Sequence, residues 1–153
     1  MKRLLVVYHT QTGHTEAMAR AVVRGARHPE VAGVEVRLRR AIEAGLGDLL
    51  EADAVAIGTP ENFGQLSGGM KDFFDRTYYP AQGKLEGLAY AAFISAGNDG
   101  RGALEGLRRI VRGYPLREVR EPIIARGGID AGVLERCEEL GLALAAGLEA
   151  GIY

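Results

Sequence analysis

Hydrophobic and polar positions along the chain form five strand-like runs, each followed by a helical pattern. Three runs are continuously apolar, which is typical of strands buried on both faces; they cover residues 4–8, 53–58 and 88–94. Residues 34–39 alternate between apolar and charged side chains, and residues 119–125 are interrupted by Pro122. Both patterns favour strands at the edges of a sheet.

Apolar residues spaced three and four apart predict helices between these strands. The predicted helices cover residues 15–27, 47–51, 70–77, 104–111 and 130–148. Asp130 is the expected N-cap of the last helix, and Cys137 falls on its apolar face, so we expect a buried thiol. Residues 9–14, 59–69 and 95–102 are left as polar, glycine-containing loops.

Alternation of strands and helices predicts an α/β fold in one domain, residues 1–153, with helices on both faces of a parallel sheet. Placing the apolar strands in the centre and using right-handed crossovers gives the strand order 2-1-3-4-5. In this order the chain reverses direction between strands one and three. Ligands bind outside the carboxyl ends of the strands at such a point.

The amino-acid composition and net charge restrict the classes of protein to which this chain could belong. The 153 residues include 47% hydrophobic and 25% charged residues, the usual proportions for a globular protein. A net charge of −1 gives no steering toward nucleic acid. One cysteine excludes an internal disulfide and favours a reduced, cytoplasmic setting. The first apolar run is too short for a signal peptide, and we expect no membrane span.

The loop after the first strand combines three threonines and one glycine immediately before a helix. Free N–H groups at a helix N-terminus, together with hydroxyls, suit a phosphate group. The loop contains no lysine or arginine, so neutral donors would hold the anion. A simple helix cap, with Thr12 or Thr15 as the N-cap residue, is the alternative.

Residues 6–19 resemble the phosphate-loop signature of the flavodoxin family, in which two aliphatic residues and an aromatic precede T-x-T-G-x-T. The resemblance implies a flavodoxin-like three-layer sandwich that binds flavin mononucleotide (FMN). By position, it assigns the FMN phosphate to Thr10, Gln11, Thr12, Gly13, His14 and Thr15. His14 also resembles the G-H pair of the WrbA-like NAD(P)H:quinone oxidoreductases, although a surface histidine is an equal alternative.

Residues 58–71 resemble the G-T-P-x-x-F-G-x-x-S-G-x-M-[KR] segment of WrbA-like proteins and short FMN reductases. In those relatives the segment wraps the isoalloxazine ring. The matching positions are Pro60, Glu61, Asn62, Phe63 and Gly64. A Phe63 ring packed in the core is the alternative for that residue, and Ser67 is expected to cap the following helix.

The loop after the fourth strand is similar to the S-x-G loop of the same families, whose amides meet the pyrimidine side of the ring. It contributes Ser95, Ala96, Gly97, Asn98, Asp99 and Gly100. The WrbA-like pattern continues with a histidine and paired glycines, which this chain lacks. Tyr78 and Tyr79, at the end of the third helix, could border the ring, but packing at the helix end is the stronger interpretation.

The sequence lacks the motifs that characterise several other classes of binding site and enzyme. The sequence contains no P-loop, no dinucleotide-binding G-x-G-x-x-G, no G-x-S-x-G elbow and no Cys/His cluster for a metal. A receiver domain, which shares the strand order, needs an acidic pair after the first strand. Here Tyr8 and His9 occupy those positions.

Three functions follow from the resemblance. The first is an FMN-dependent enzyme that takes hydride from NAD(P)H and reduces a quinone or similar acceptor, with no catalytic side chain required. The second is a flavodoxin-type electron carrier, and the third is a flavin-binding regulatory module. The near-neutral charge favours the enzyme, and the short length favours the carrier. The WrbA resemblance also implies a homodimer or homotetramer.

Overall fold

The computed structural model describes residues 1–153 and contains seven strands and five helices. The strands are β1 (Lys2–Tyr8), β2 (Val34–Arg40), β3 (Ala54–Asn62), β4 (Gln65–Leu66), β5 (Ala89–Ala96), β6 (Arg117–Glu118) and β7 (Ile123–Arg126). The helices are α1 (His14–Ala26), α2 (Leu46–Glu51), α3 (Gly68–Ala81), α4 (Arg101–Gly113) and α5 (Ala131–Glu149). No helix combines the length and apolar character needed to cross a bilayer.

The main sheet is parallel and runs in the order β2-β1-β3-β5, with β6 and β7 both paired to the far side of β5. This confirms the predicted order 2-1-3-4-5, because β5 is the fourth long strand and β6 and β7 together form the fifth. Residues 119–122 separate the two short pieces, and Pro122 in that segment has no N–H to donate to a ladder.

Two hydrophobic cores lie on opposite faces of the sheet, as alternation along buried strands requires. Leu4, Val6 and Tyr8 of β1 face α1 and α5, whereas Leu5 and Val7 face α2, α3 and α4. Cys137 lies fully buried in the first core, as predicted, and burial raises the pKa of its thiol to about 12. Such a thiol is inert rather than reactive at neutral pH.

Two strands are longer than the apolar pattern indicates. β3 continues four residues past Gly58 to Asn62, and β5 continues to Ala96, because Thr59 and Pro60 remain paired with Ile94 and Ser95. The prediction that residues 59–69 form a loop is therefore wrong. Polar residues end the apolar run at position 59, although backbone pairing continues.

The segment beyond Pro60 folds back as a β-hairpin. Glu61 and Asn62 pair antiparallel with Leu66 and Gln65, and residues 63–64 form the two-residue turn. Phe63 and Gly64 both have positive φ, 52° and 73°, as a type I′ turn requires. We call residues 61–66 the site hairpin.

Candidate functional site

The loop after β1 ends in a helix that has no side-chain cap. Gly13, not Thr12 or Thr15, is the N-cap residue of α1; its φ of 96° is left-handed, and no side chain bonds to the cap. Its own N–H donates to Thr10 Oγ1 at 3.0 Å. The first bond of the helix runs from the Ala17 N–H to the Gly13 carbonyl, so the N–H groups of residues 14–16 have no intrahelical acceptor.

The other long helices that begin at this edge of the sheet are capped by protein side chains. Ser67 Oγ accepts from the Met70 N–H in α3 at 3.2 Å, and Asp130 Oδ1 accepts from the Val133 N–H in α5 at 2.9 Å, both as predicted. The Glu61 carboxylate caps α4 from outside that helix. Among the four long helices, α1 is the only one whose first-turn N–H groups meet no side-chain acceptor.

Exposed polar residues surround this open helix end. Gln11, Thr12, Gly13 and His14 are all exposed, and a side chain built at Gly13 would meet no atom within 4 Å. Glu16, in the first helical turn, pairs with Arg20 at 2.8 Å, which offsets its negative charge. The first loop therefore offers free donors to an anion without supplying a full positive charge.

Thr15 and Ser95 meet beneath the first loop. Thr15 is 1% exposed, and its hydroxyl lies 2.8 Å from that of Ser95 at the end of β5. Two hydroxyls share this one hydrogen bond, and neither makes another. One hydroxyl hydrogen therefore remains available to an acceptor. The sequence did not indicate this contact.

Phe63 lies at the tip of the site hairpin with its side chain fully exposed. The alternative that this ring packs in the core is wrong. Its φ of 52° is unfavourable for a residue with a Cβ, and left-handed non-glycine residues cluster at functional sites. Asn62 beside it donates from Nδ2 to Gln11 Oε1 at 2.6 Å, so the hairpin is joined to the first loop.

Glu61 attaches the hairpin to α4. Its carboxylate accepts from the Gly100 N–H at 3.2 Å and the Ala103 N–H at 3.1 Å. Gly102 allows this close approach, because a Cβ at that position would overlap the Gly64 carbonyl. A carboxylate engaged in this way positions the hairpin. The motif match placed Glu61 at the site but did not indicate this contact.

The third segment, residues 95–100, is partly strand and partly turn. Ser95 and Ala96 belong to β5 and are buried, so the expectation that they lie in a loop is wrong. Gly97, Asn98 and Asp99 form the exposed turn, and the buried Gly100 is the N-cap of α4 with a φ of 74°. Asp99 Oδ1 accepts from the Arg101 N–H at 3.0 Å, and its carbonyl accepts from Arg126 Nε at 3.1 Å.

A hydrogen-bonded chain beneath the first loop was not predicted. His9 Nδ1 lies 2.8 Å from Ser67 Oγ, which lies 3.2 Å from Thr59 Oγ1. Gly69 makes room for the imidazole, because a Cβ there would lie 2.5 Å from His9 Cδ2. The chain joins the end of β1 to both roots of the site hairpin, and its members are too far apart in sequence to form a motif.

Tyr78 and Tyr79 lie away from this site. They occur in the last turns of α3, which runs back toward the amino ends of the strands. The Tyr78 ring packs edge-on against Tyr114, with centroids 5.4 Å apart, and against Tyr79 at 5.3 Å. Packing at the helix end therefore accounts for Tyr78, while Tyr79 is 76% exposed and lies on the surface at the same helix end.

Removing the Glu61 carboxylate should loosen the hairpin from α4. We expect Glu61→Ala to lower the free energy of unfolding by about 1–2 kcal/mol, the usual cost of a lost helix cap. Urea denaturation measures this loss. Glu61→Gln keeps one acceptor oxygen and should lose less, whereas equal stability of Glu61→Ala and the parent would contradict the capping role.

His9 should make stability depend on pH. Burial and then the Arg40 charge lower the pKa of His9 below its usual 6.5, so the unfolded chain binds this proton more readily. The His9 contribution to stability is complete above the unfolded pKa and falls as the pH drops through 6.5 toward the lowered folded pKa.

Urea denaturation at roughly pH 5 and at pH 7.5 tests this window. We expect His9→Gln to flatten the pH dependence relative to the parent, and His28→Gln, a change at a loop histidine outside the site, serves as the matched control. An unchanged slope in His9→Gln would show that the imidazole titrates as it does in the unfolded chain.

Comparison with known proteins places these loops in a family. The family model described as Flavodoxin matches residues 6–103. A flavodoxin from Aquifex aeolicus is 44% identical over 67% of this chain and 54% of its own length. An NAD(P)H dehydrogenase (quinone) from Acidithiobacillus ferrooxidans is 37% identical over 62% of this chain and 57% of its own. The chain thus spans about half the length of these curated relatives.

Solved structures agree over nearly the whole chain. A flavodoxin from the domain Archaea superposes with a TM-score of 0.78 at 26% identity, covering 94% of this chain and 96% of that one. A WrbA-like flavodoxin from Agrobacterium tumefaciens gives 0.77 at 25% identity, covering 95% and 96%. The chain, as its loop motifs predicted, belongs to the flavodoxin family.

Proposed function

We propose that this chain binds FMN across its three site segments and acts as an NAD(P)H-dependent oxidoreductase that reduces quinones or similar small acceptors. The observation that carries the proposal is the open N-terminus of α1. In every other long helix at this edge a side chain accepts from at least one first-turn N–H, whereas the first-turn N–H groups of α1 meet no protein acceptor, and the helix begins beside the exposed site hairpin.

The first loop fits the phosphate of FMN. The N–H groups of residues 14–16 lack protein acceptors, the Thr12 hydroxyl is exposed, and the Thr15–Ser95 pair has one hydroxyl hydrogen to donate. This donor set contains no competing carboxylate, apart from Glu16, which pairs with Arg20. A phosphate dianion also gains from the positive end of the helix dipole. In this role the loop positions Thr10–Thr15 hold the phosphate.

The hairpin and the third segment fit a flat ring. Pro60–Gly64 lies on one side, with the Phe63 side chain free to cover a ligand, and Gly97–Asp99 forms an exposed turn on the other. Side chains built at Gly64 or Gly97 would meet nothing within 4 Å, so the backbone there is accessible. Amides of the third segment would then face the pyrimidine side of the ring.

FMN, when bound, supplies the redox chemistry by accepting two electrons and a proton from a donor and passing electrons to an acceptor. The chain's own contribution is binding and orientation. Gln11–Asn62, Thr15–Ser95 and Glu61–Gly100 join the three segments in pairs, which fixes their relative positions. Hydride transfer requires only that donor and ring stack at close distance, so no side chain needs to act as acid or base.

Surface charge supports the enzyme over the carrier. The net charge is −1, and two exposed arginines, Arg101 and Arg126, border the third segment on either side of its turn, which carries the one exposed carboxylate of Asp99. A cationic border attracts anionic donors such as NAD(P)H. A flavodoxin-type carrier remains the second candidate, because a relative at 44% identity is a flavodoxin.

Loss of the threonine hydroxyls should weaken FMN binding. We expect Thr12→Ala and Thr15→Ala each to raise the Kd of FMN about ten- to a hundredfold, because a hydrogen bond to a charged group contributes about 1.5–3 kcal/mol. Quenching of FMN fluorescence measures the Kd. Thr12→Ser, which keeps the hydroxyl, is the control, and an unchanged Kd in the double alanine variant would contradict the phosphate assignment.

The redox activity is tested on protein loaded with FMN. Under anaerobic conditions, we expect NADH or NADPH to bleach the flavin absorbance, and benzoquinone to restore it and sustain NAD(P)H oxidation over many turnovers. A flavin that stays oxidised in excess NADH and NADPH would contradict the enzyme. If that same flavin still accepted electrons from a reduced carrier protein, the second candidate would be favoured.

A further inference from the structure

A groove at the carboxyl end of β7 has no role in the site described above. Its volume is about 600 Å³, and its lining includes Arg126, Gly128, Asp130, Gly132 and Arg136. Gly128 and Gly132 place no side chain in this space. The groove begins where β7 ends, on the side of β5 opposite β3, so it is separate from the first loop beside β1.

The charges in the groove are unbalanced in favour of cations. Neither the Arg126 nor the Arg136 guanidinium pairs with a carboxylate, whereas other arginines, among them Arg20, Arg37 and Arg108, do. The Asp130 carboxylate lines the same groove, but one of its oxygens accepts from the Val133 N–H. Two guanidinium groups thus face one carboxylate that is already engaged as a helix cap.

Arg126 connects the groove to the third segment. It is the last residue of β7, pairs with Ala96 of β5, and donates from Nε to the Asp99 carbonyl at 3.1 Å. That single bond leaves the two terminal nitrogens of its guanidinium without a protein acceptor. An anion held there would lie beside the turn that borders the proposed ring site.

We propose that this groove binds the pyrophosphate of the nicotinamide dinucleotide donor, with Arg126 and Arg136 as its anion contacts. The inference rests on the proposed function. Guanidinium groups bind phosphate oxygens in pairs and stay charged at any physiological pH, so two of them suit a pyrophosphate. In this arrangement the groove holds the pyrophosphate of the donor, and the dihydropyridine ring of the same donor reaches the flavin past residues 97–99.

Two hydride donors with the same reactive ring distinguish binding of the pyrophosphate from an effect of the arginines on the flavin itself. NADPH carries the phosphates, and 1-benzyl-1,4-dihydronicotinamide does not. In the double variant Arg126→Gln/Arg136→Gln, we expect kcat/KM for NADPH to fall at least about tenfold. In Arg136→Gln, which leaves the bond from Arg126 to the Asp99 carbonyl in place, we expect kcat/KM for NADPH to fall and that for the benzyl donor to stay within about twofold. Arg117→Gln removes the same charge from an exposed site at the amino end of β5 and is the matched control.

Binding without turnover provides an independent readout. Calorimetric titration of FMN-loaded protein with ADP-ribose, which has the pyrophosphate but no nicotinamide, should give a Kd that rises with salt in the parent. The double variant should bind ADP-ribose at least about tenfold more weakly, and Arg117→Gln should match the parent.

Three other outcomes would contradict either the groove assignment or the proposed function. Equal ADP-ribose binding and equal NADPH kinetics in the double variant and the parent would refute the groove assignment while leaving the proposed function intact. An equal loss with both donors in Arg136→Gln would show that this residue acts on the flavin rather than on the pyrophosphate, and would also refute it. If neither donor reduces the flavin of the parent, the proposed function fails and the groove assignment falls with it.

Discussion

The structure depends on how the N-terminal donors of its helices are satisfied at one edge of a parallel sheet. Parallel strands place every following helix with its N-terminus at the same edge, so unpaired N–H groups accumulate there. The protein caps α3 with Ser67, α4 with Glu61 and α5 with Asp130. It gives the first turn of α1 no side-chain acceptor, and the anion site that we propose depends on that single difference.

The remaining features of the site follow from keeping that helix end accessible. A glycine N-cap in the left-handed region removes the side chain that would close it, and the site hairpin is held to one side rather than over it. Two contacts hold the site hairpin in place. Glu61, its first residue, caps α4, and the hydrogen-bonded chain His9–Ser67–Thr59 holds the residues that flank it on both sides. The tip of the site hairpin carries Phe63, which is exposed and has a positive φ.

Local sequence patterns were sufficient for the framework. Continuous apolar runs identified the central strands, alternation and Pro122 identified the edges, and Ser67 and Asp130 were recognised as caps because a cap acts within its own helix. The first loop was recognisable because its hydroxyls and glycine are contiguous. These features share one property, which is that the interacting groups lie within a few residues of each other.

Local sequence patterns could not predict the contacts between segments that are distant in sequence. The extension of β3 to Asn62 depends on pairing with β5, and polar side chains at its end hid the strand from a hydrophobicity pattern. Glu61 caps a helix that starts 40 residues later, counting from position 61 to position 101, and only the folded sheet brings them together. The Thr15–Ser95 contact is of the same kind.

The most direct measurement of the central claim compares FMN with riboflavin, which has the same ring and ribityl chain but no phosphate. Fluorescence titration of the flavin-free protein with each ligand isolates what the open end of α1 contributes. We expect FMN to bind at least about a hundredfold more tightly than riboflavin, because two or more hydrogen bonds to a charged group distinguish the two ligands. Equal affinity for the two flavins, or no binding of either, would contradict the central claim.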